Sequence, residues 1–249
     1  MIDLQIAVVS DIHGNSWALE AVLADIEKRD ITWIVNLGDT VYGPLDPRGT
    51  AEMLMPRKIV NVRGNEDRLI TEHSGEGTAS PTPEFVRRNL RAEQIAWLRM
   101  HQPTETVGAK LFACHGTPGS DVTYLLEDIS PMGPTLRAPD QIMASLEKVS
   151  EPVVLCGHSH VPWTVWLPNG QLVVNPGSVG LPAYSDDQPV AHVMQAGSPH
   201  ARYAVVAKSG AGWQVDHVAV PYDWARASAR ARENGRADWA EWLRSGRAR

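Results

Sequence analysis

Polar motifs that directly follow short apolar segments are the feature that most constrains the fold of this chain. The apolar run Ile6–Val9 leads into the first motif, and two later β-branched segments end in the same way. The three motifs are Asp11-Ile12-His13, Gly38-Asp39 and Gly64-Asn65-Glu66-Asp67. Helical spacing of apolar residues after the first motif predicts a strand–helix–strand–helix–strand order. Because the carboxyl ends of parallel strands lie at one edge of a sheet, we expect the motifs to meet there.

Two further motifs of this kind, Cys114-His115-Gly116 and Gly157-His158-Ser159-His160, follow apolar segments later in the chain. Turn residues between short apolar runs predict β-hairpins over residues 104–113, 161–174 and 201–220. Hairpins added to a strand–helix–strand core predict a mixed α/β (α+β) fold with two packed sheets and helices outside.

The chain is predicted to form a single domain over residues 1–249, because no repeat or low-complexity linker divides it. Residues 117–140 are rich in proline and lack periodicity, which predicts an insert or lid over the polar motifs. Residues 223–249 are rich in Ala, Arg and Glu and are predicted to form one or two exposed or packing helices.

Composition excludes several classes of function. A formal net charge of −6 gives no reason to expect binding to a nucleic-acid backbone. The apolar run near the N-terminus is too short for a signal peptide, and no stretch approaches the ~20 apolar residues of a membrane span. The two cysteines, Cys114 and Cys156, are expected to be buried thiols in a reducing compartment. We therefore expect a cytoplasmic protein without a membrane partner, and the sequence leaves its oligomeric state open.

Seven side chains of the motifs are of types that bind metals: Asp11, His13, Asp39, Asn65, His115, His158 and His160. This mixture of oxygen and imidazole ligands suits borderline divalent metals better than Ca²⁺ or Mg²⁺. Seven ligands are too many for one tetrahedral site, but they suit two ions about 3.5–4 Å apart that share a carboxylate. We expect two divalent or mixed-valence transition-metal ions, with Mn or Fe favoured and Zn, Co or Ni as alternatives.

The order and spacing of the five motifs resemble those of the calcineurin-like metallophosphoesterase superfamily across residues 6–178. The segment Asn175-Pro176-Gly177-Ser178-Val179-Gly180 is similar to the small bacterial and archaeal phosphodiesterase branch of that family. The resemblance implies a four-layer αββα sandwich with a dinuclear metal centre at the strand ends. It also implies that a hydroxide bridging the two metals attacks phosphorus in line.

The resemblance implies a particular division of the ligands between the two metals. Asp11, His13, Asp39 and His160 would hold the first ion. Asp39, Asn65, His115 and His158 would hold the second ion, with Asp39 bridging the two.

One residue departs from the family pattern. Many monoesterases and protein phosphatases of the family have a histidine after the motif asparagine, and this chain has Glu66. A carboxylate there repels a phosphate dianion, which favours a diester substrate, and it could act as a general acid if burial raises its pKa. The alternative is that Glu66 faces solvent. His73 follows the motif closely enough to replace the missing histidine, and Asp67 is predicted to hydrogen-bond a ligand such as His115.

The sequence thus predicts a metal-dependent phosphoesterase acting on a small phosphorylated or nucleotide-type substrate, with Asp39, Glu66 and Asp67 as catalytic residues. Two other enzymes remain as alternatives, a diadenosine-polyphosphate hydrolase and a protein phosphatase of the serine/threonine type. A metal-binding interaction scaffold is the alternative that is not an enzyme, but such a scaffold does not need a complete set of ligands.

Overall fold

The protein is built from two β-sheets packed face to face, with helices on both outer surfaces. The computed structural model describes residues 2–72, 80–108, 110–130 and 132–248, so His73 lies outside the described residues. The strands are β1 (Ile2–Val9), β2 (Trp33–Asn36), β3 (Ile59–Asn61), β4 (Thr104–Val107), β5 (Leu111–Cys114), β6 (Glu127–Ser130), β7 (Gly133–Leu136), β8 (Val153–Leu155), β9 (Trp163–Trp166), β10 (Leu172–Asn175), β11 (Ala183–Asp186), β12 (His192–Gln195), β13 (Ala201–Ser209) and β14 (Gly212–Val220).

The helices complete the four layers. They are α1 (Ser16–Lys28), α2 (Pro47–Leu54), α3 (Asn65–Glu72), α4 (Thr82–Asn89), α5 (Ala92–Arg99), α6 (Pro139–Ser145), α7 (Trp224–Glu233) and α8 (Ala237–Ser245). None of the helices in the described ranges is long and apolar enough to span a membrane.

Both large sheets are mixed, and in each sheet the polar motifs follow parallel strands. The strand order of the first sheet is β14-β13-β1-β2-β3, and that of the second is β4-β5-β8-β10-β9. β1, β2 and β3 run parallel, with Val9 opposite Asn36 and Asn36 opposite Asn61. In the second sheet β5 and β8 are also parallel, with Ala113 opposite Leu155. The motifs after these five strands therefore leave the sheets at their carboxyl ends.

The side chains of β1 alternate between the two faces of the first sheet, and this alternation shows how the layers pack together. Ile6 and Val8 pack between the two sheets, in a cluster that includes Leu155 from the second sheet. Ala7 and Val9 point to the opposite face, where they join the buried stripe of α1. The period of two along a strand delivers one set of side chains to each face. The predicted fold class, with two mixed sheets flanked by helices, is confirmed.

The helix α1 begins where the first motif ends. The side chain of Asn15 accepts a hydrogen bond from the backbone N–H of Ala18 (3.2 Å), which caps the helix. Leu19, Val22 and Ile26 then lie on one buried face at helical spacing. The cap also fixes the direction in which the chain leaves the loop that carries His13.

The predicted insert and tail both have regular structure. Residues 117–140 contain the β6–β7 hairpin, and Leu125 and Leu126 join a cluster that covers the outer face of the second sheet. The tail forms α7 and α8, which pack into a cluster with the loop that follows Asp39. The sequence analysis missed α3 and the small β11–β12 sheet. The predicted hairpins over residues 161–174 and 201–220 are confirmed by β9–β10 and β13–β14.

The buried His101 makes the stability of this fold depend on pH. Its ring packs edge-on against Trp97, with 4.5 Å between centroids, and in the described part of the chain neither ring nitrogen has a hydrogen-bond partner. Burial lowers the pKa of His101 to about 4, whereas an unfolded histidine has a pKa of about 6.5. As the pH falls, the unfolded chain therefore binds a proton at this histidine before the folded chain does. The stability that depends on a neutral His101 is fully present above pH 6.5, and it is lost as the pH falls towards 4.

We expect His101→Phe to keep the contact with Trp97 and to remove this loss. Between pH 7 and pH 5 the wild type should lose about 2 kcal/mol more unfolding free energy than the variant. Urea denaturation at both pH values measures the difference, and His200→Phe, a half-buried histidine that also contacts a tryptophan, is the control. An equal loss in wild type and His101→Phe would contradict the expectation.

Candidate metal centre

Backbone strain marks the loops that carry the predicted ligands. Among the described non-glycine residues, a positive φ occurs at Asp30 and at five of these ligands. The five are Asp11 (52°), His13 (53°), Asp39 (51°), His158 (67°) and His160 (61°). Left-handed conformations are uncommon for such residues and cluster where the surroundings over-determine the backbone, as at functional sites. The bends turn these side chains away from the strand direction and into one space.

Asp11, His13 and His160 form the first group. The Nε2 atom of His160 lies 3.3 Å from Asp11 Oδ1 and 3.0 Å from His13 Nε2. On the far side of each ring, Nδ1 donates a hydrogen bond to a backbone carbonyl, His160 to Leu181 (2.6 Å) and His13 to Tyr42 (3.0 Å). Because a carbonyl oxygen only accepts, each ring carries its hydrogen on Nδ1 and leaves Nε2 for the group.

Asp39, Asn65, His115 and His158 form the second group. The Nε2 atom of His115 lies 3.3 Å from Asp39 Oδ2 and 3.1 Å from Asn65 Oδ1, while its Nδ1 donates to the carbonyl of Leu37 (2.8 Å). The ring of His158 lies 5.0 Å from that of His115, between centroids. The structure thus brings all seven predicted ligands together. Asp39 groups with His115 and His158, and separately with His13 and Glu66, whereas its place beside Asp11 and His160 stays a prediction.

Nitrogen and oxygen atoms face one another at short distances inside both groups. The Nε2 atoms of His13 and His160 point at each other, and Asp11 Oδ1 is buried without a hydrogen-bond partner among the described residues. Lone pairs this close repel unless a proton or a cation lies between them. The ligand atoms of Asp11, His13 and His160 lie within 4.8 Å of one another, as do those of Asp39, His115 and His158. The donor types and their spacing therefore fit two borderline divalent metal ions.

The electrostatics of the groups favour positive charge. Burial opposes a charge on His13, yet Glu66, Asp39 and Asp11 together outweigh it and raise the pKa of His13 to about 9. Burial is likewise outweighed at His115, where Asp39 makes the largest contribution and the pKa rises to about 10. The pKa values of Asp11 and Asp39 are lowered, because the neighbouring histidines outweigh burial. Carboxylates that stabilise an imidazolium this strongly also stabilise a metal cation in the same place.

Glu66 lies beside the first group rather than simply facing solvent. Its Oε2 is 3.2 Å from His13 Nδ1, and its side chain is 23% exposed. Burial raises its pKa to about 7, a rise that the contact with His13 limits and the charge of Asp39 reinforces. Oxygen and nitrogen atoms of Glu66, His13 and Asp39 also lie within 4.8 Å of one another. Glu66 is thus able to exchange a proton near neutral pH.

Asp67 does not hydrogen-bond the ring of His115 as predicted, and this prediction is wrong. Its carboxylate accepts hydrogen bonds from the backbone N–H groups of Thr40 (2.9 Å) and Gly64 (3.1 Å). Burial and the charge of Asp39 raise its pKa to about 6, although the two N–H groups oppose the rise. Asp67 therefore holds together the turn after Asp39 and the turn before Asn65.

Two tyrosines that the sequence analysis did not assign to this role support the loop between His158 and His160. The hydroxyl of Tyr184 donates to the carbonyl of His158 (3.1 Å), and its ring packs edge-on against His160, with 4.5 Å between centroids. The ring of Tyr124 stacks on His158 at 4.7 Å and an interplanar angle of 23°, and the two hydroxyls lie 2.8 Å apart. Tyr124 follows no local pattern that would reveal this contact.

The segment 117–140 also reaches the same loop through a buried carboxylate. The hydroxyl of Ser159 donates to Glu127 Oε1 (2.6 Å) and accepts from Asn175 Nδ2 (3.0 Å). Burial raises the pKa of Glu127 to about 7, although its hydrogen bonds oppose the rise. The segment predicted as a lid therefore buttresses the loop that carries two metal ligands.

Two cavities border the ligand groups on different sides. The first has a volume of about 260 Å³ and the second about 710 Å³, and Asn65, His158 and Asp186 line both. The first extends from His13 and Glu66 to the C-terminal helices, and the second extends under the 117–140 segment to Arg137. Both cavities thus adjoin the predicted ligands Asn65 and His158.

A family comparison agrees with this geometry. The model of the calcineurin-like phosphoesterase superfamily domain matches residues 4–197. The chain belongs to this superfamily. Membership implies hydrolase activity on phosphoric esters, and the family typically depends on a dinuclear metal centre. The two groups of ligand atoms lie within the matched residues.

Individual relatives of this calcineurin-like phosphoesterase support the fold. An uncharacterized protein of Methanocaldococcus jannaschii is 27% identical over 203 residues, which cover 73% of this chain and 79% of that protein. The crystal structure of a metallophosphoesterase from Sphaerobacter thermophilus has a TM-score of 0.76 at 23% identity, with 98% of this chain and 99% of that one covered. A hypothetical protein from Pyrococcus horikoshii gives a TM-score of 0.74 at 20% identity, with the same coverage of both chains.

Gly64 offers a test of the phosphoesterase's ligand geometry without removing a ligand. A Cβ at this position would lie 2.1 Å from Asp39 Oδ1 and 2.4 Å from the Asp39 nitrogen, so Gly64→Ala must displace Asp39. We expect the variant to bind Mn²⁺ at least tenfold more weakly, measured by calorimetry on metal-depleted protein. Gly119→Ala is the matched control, since a Cβ there meets nothing within 4 Å. Unchanged Mn²⁺ affinity in folded Gly64→Ala would contradict the role of Asp39.

Proposed function

We propose that the protein is a dinuclear-metal-dependent phosphodiesterase acting on a small phosphodiester or nucleotide-type substrate. The observation that carries the proposal is the pair of adjacent ligand groups, in which buried imidazole and carboxylate atoms face one another at short distances. Bound divalent cations would supply an activated water and withdraw charge from the phosphoryl oxygens. Mn and Fe remain the favoured metals, with Zn, Co and Ni as alternatives.

Asp39, Asn65 and Glu66 would have different roles around the scissile phosphate. Asp39 lies within reach of His115 and His158 of the second group and of His13 of the first, and it would bridge the two ions. Asn65 offers a neutral carbonyl oxygen, which limits negative charge where an anionic phosphate must approach. Glu66, with its pKa raised to about 7, is in a protonation range suited to donating a proton to a leaving oxygen.

Two features favour a diester over a monoester. The carboxylate of Glu66 repels a phosphate dianion more strongly than a monoanionic diester. Cavities of about 260 and 710 Å³ on two sides of the ligand groups also give room for two ester arms, whereas a monoester has one.

The alternatives fit the cavities less well. A diadenosine polyphosphate would place several negative charges beside Glu66, Asp186 and Asp128, which line the two cavities. A protein phosphatase must turn over phosphoserine or phosphothreonine dianions, which meet the same repulsion. A metal-binding scaffold without catalysis requires no complete ligand set. Assays with dinucleoside polyphosphates and phosphopeptides distinguish these functions from diester hydrolysis.

The first test removes the shared carboxylate. We expect Mn-loaded wild type to hydrolyse bis-p-nitrophenyl phosphate and Asp39→Asn to lower kcat/KM at least 100-fold, because the carboxylate that would bridge the two ions loses its charge. Release of p-nitrophenolate measures the rate. Asp30→Asn, at an exposed residue that also has a positive φ, is the matched control. Turnover by Asp39→Asn at the wild-type level would reject the proposed metal assignment.

The second test changes the charge at Glu66. We expect the wild type to prefer bis-p-nitrophenyl phosphate to p-nitrophenyl phosphate, and both Glu66→Gln and Glu66→His to shift the ratio of kcat/KM at least tenfold towards the monoester. The physical reason is the loss of a carboxylate beside the phosphate dianion. Glu84→Gln, at an exposed residue on α4, controls for a change in net charge. A wild type that already prefers the monoester would show that the charge argument is wrong.

A further inference from the structure

The C-terminal helices supply a wall of the smaller cavity, although they lie beyond the residues that the family model matches. That match ends at residue 197, and α7 and α8 follow it. Arg236, Trp239 and Trp242 nevertheless line the same 260 Å³ cavity as the predicted ligands His13 and His160. This wall lies outside the matched part of the family model, and it stands beside the ligand groups.

The wall is fixed in position by contacts with the loop that carries His13. The ring of Trp239 meets that of His13 edge-on, with 5.6 Å between centroids. Gly43 makes this approach possible, because a Cβ there would lie 2.9 Å from the Trp239 ring and 2.4 Å from the His13 carbonyl oxygen. Asn234 Nδ2 also donates to the carbonyl of Pro44 (2.7 Å), which ties the turn between α7 and α8 to the same loop.

The hydrogen bonds of Arg236 engage the edge of its guanidinium group rather than its faces. Its Nε and one terminal nitrogen donate to the Asp238 carboxylate (2.9 and 2.7 Å), and the other terminal nitrogen donates to the Thr82 hydroxyl (2.6 Å). The ion pair with Asp238 compensates its charge, so Arg236 is poorly suited to clamp an anion. The guanidinium lies 5.4 Å from the centre of the Trp239 ring, and its side chain is 19% exposed. Guanidinium planes and indole rings both stack on flat π-systems.

The charge and size of the cavity narrow the choice of ligand. The carboxylates of Glu66 and Asp186 line it, which disfavours a second phosphate group in this position. Its volume of about 260 Å³ lies below the roughly 300–1,000 Å³ that encloses a drug-sized ligand, so it suits one arm of a substrate.

We propose that Arg236, Trp239 and Trp242 form a specificity site for a flat, uncharged ring, the aryl or nucleobase arm of a phosphodiester whose phosphorus lies at the ligand groups. This assignment rests on the proposed phosphodiesterase function and adds the chemical class of one substrate arm. A methyl or other small alkyl arm leaves the site unfilled, and a non-planar ring fills it without stacking.

The test uses p-nitrophenyl diesters that share one leaving group and differ in the second arm. The second arms are methyl, cyclohexyl, phenyl and thymidine 5′-yl, and each enzymatic rate is divided by the rate of the same ester with hydroxide. With Mn-loaded wild type we expect kcat/KM for the phenyl and thymidine esters to exceed that for the methyl and cyclohexyl esters at least tenfold. The comparison of phenyl with cyclohexyl separates flatness from size.

Two variants then connect the preference to the wall. Trp242→Leu removes an indole, and Arg236→Lys keeps the charge but removes the guanidinium plane. We expect each to reduce the preference for flat rings at least fivefold, mainly through a higher KM for the phenyl and thymidine esters. Trp166→Leu, at a tryptophan that is 56% exposed on β9, is the matched control and should retain the wild-type preference. If Trp242→Leu does not fold, Arg236→Lys, a change at a partly exposed side chain, provides the test.

The outcomes separate this assignment from the function on which it rests. Wild type that hydrolyses none of the diesters would overturn both. Hydrolysis of all four with similar efficiency, or a preference for flat rings that both variants retain, would overturn the ring site and leave the phosphodiesterase function standing.

Discussion

The close approach of buried imidazole, carboxylate and amide groups at the strand ends governs the rest of this structure. His13 Nε2 faces His160 Nε2, and His115 Nε2 faces the oxygens of Asp39 and Asn65. In each ring Nδ1 donates a hydrogen bond to a backbone carbonyl. Rotation of the ring would therefore break a buried hydrogen bond. The short distances between these groups, together with left-handed backbone at five predicted ligands, favour positive charge at this place, either as protons or as metal cations.

The layers of the sandwich supply the rigidity that such an arrangement requires. The parallel strands of each sheet deliver their loops to one end, and the apolar cluster between the sheets keeps the two sets of loops in register. Support then comes from elements further along the chain. Tyr124 stacks on His158, and Glu127 hydrogen-bonds Ser159 in the same loop. Trp239 packs edge-on against the ring of His13. The ligand groups are therefore braced from both sheets and from both peripheral segments.

The sequence predicts the elements whose signal is local, and it misses those that depend on distant contacts. The strands before Asp11, Asp39 and His158 could be recognised because an apolar run ends directly in a polar motif, and the resemblance of these motifs to a known family led to the sandwich. The role of Asp67 was predicted wrongly, because sequence spacing does not tell whether its carboxylate turns to a ring or to backbone N–H groups. Trp239 was missed because its partner, the loop at Gly43, is almost two hundred residues away and neither position carries a recognisable motif.

The pairing of β1 with β13 has a consequence for how the chain comes to be folded. Ile6 lies opposite Val206, so the central strand of the first sheet lacks its antiparallel neighbour until two hundred further residues have been synthesised. Strand pairing over such separations is slow, because loop-closure entropy is lost before the contacts form. During that interval β1 can pair with β2, but the loop of Asp11 and His13 lacks the support of β13 and of the indole of Trp239. The nascent chain therefore acquires its complete constellation of ligands late, as one of the last events of its folding rather than the first.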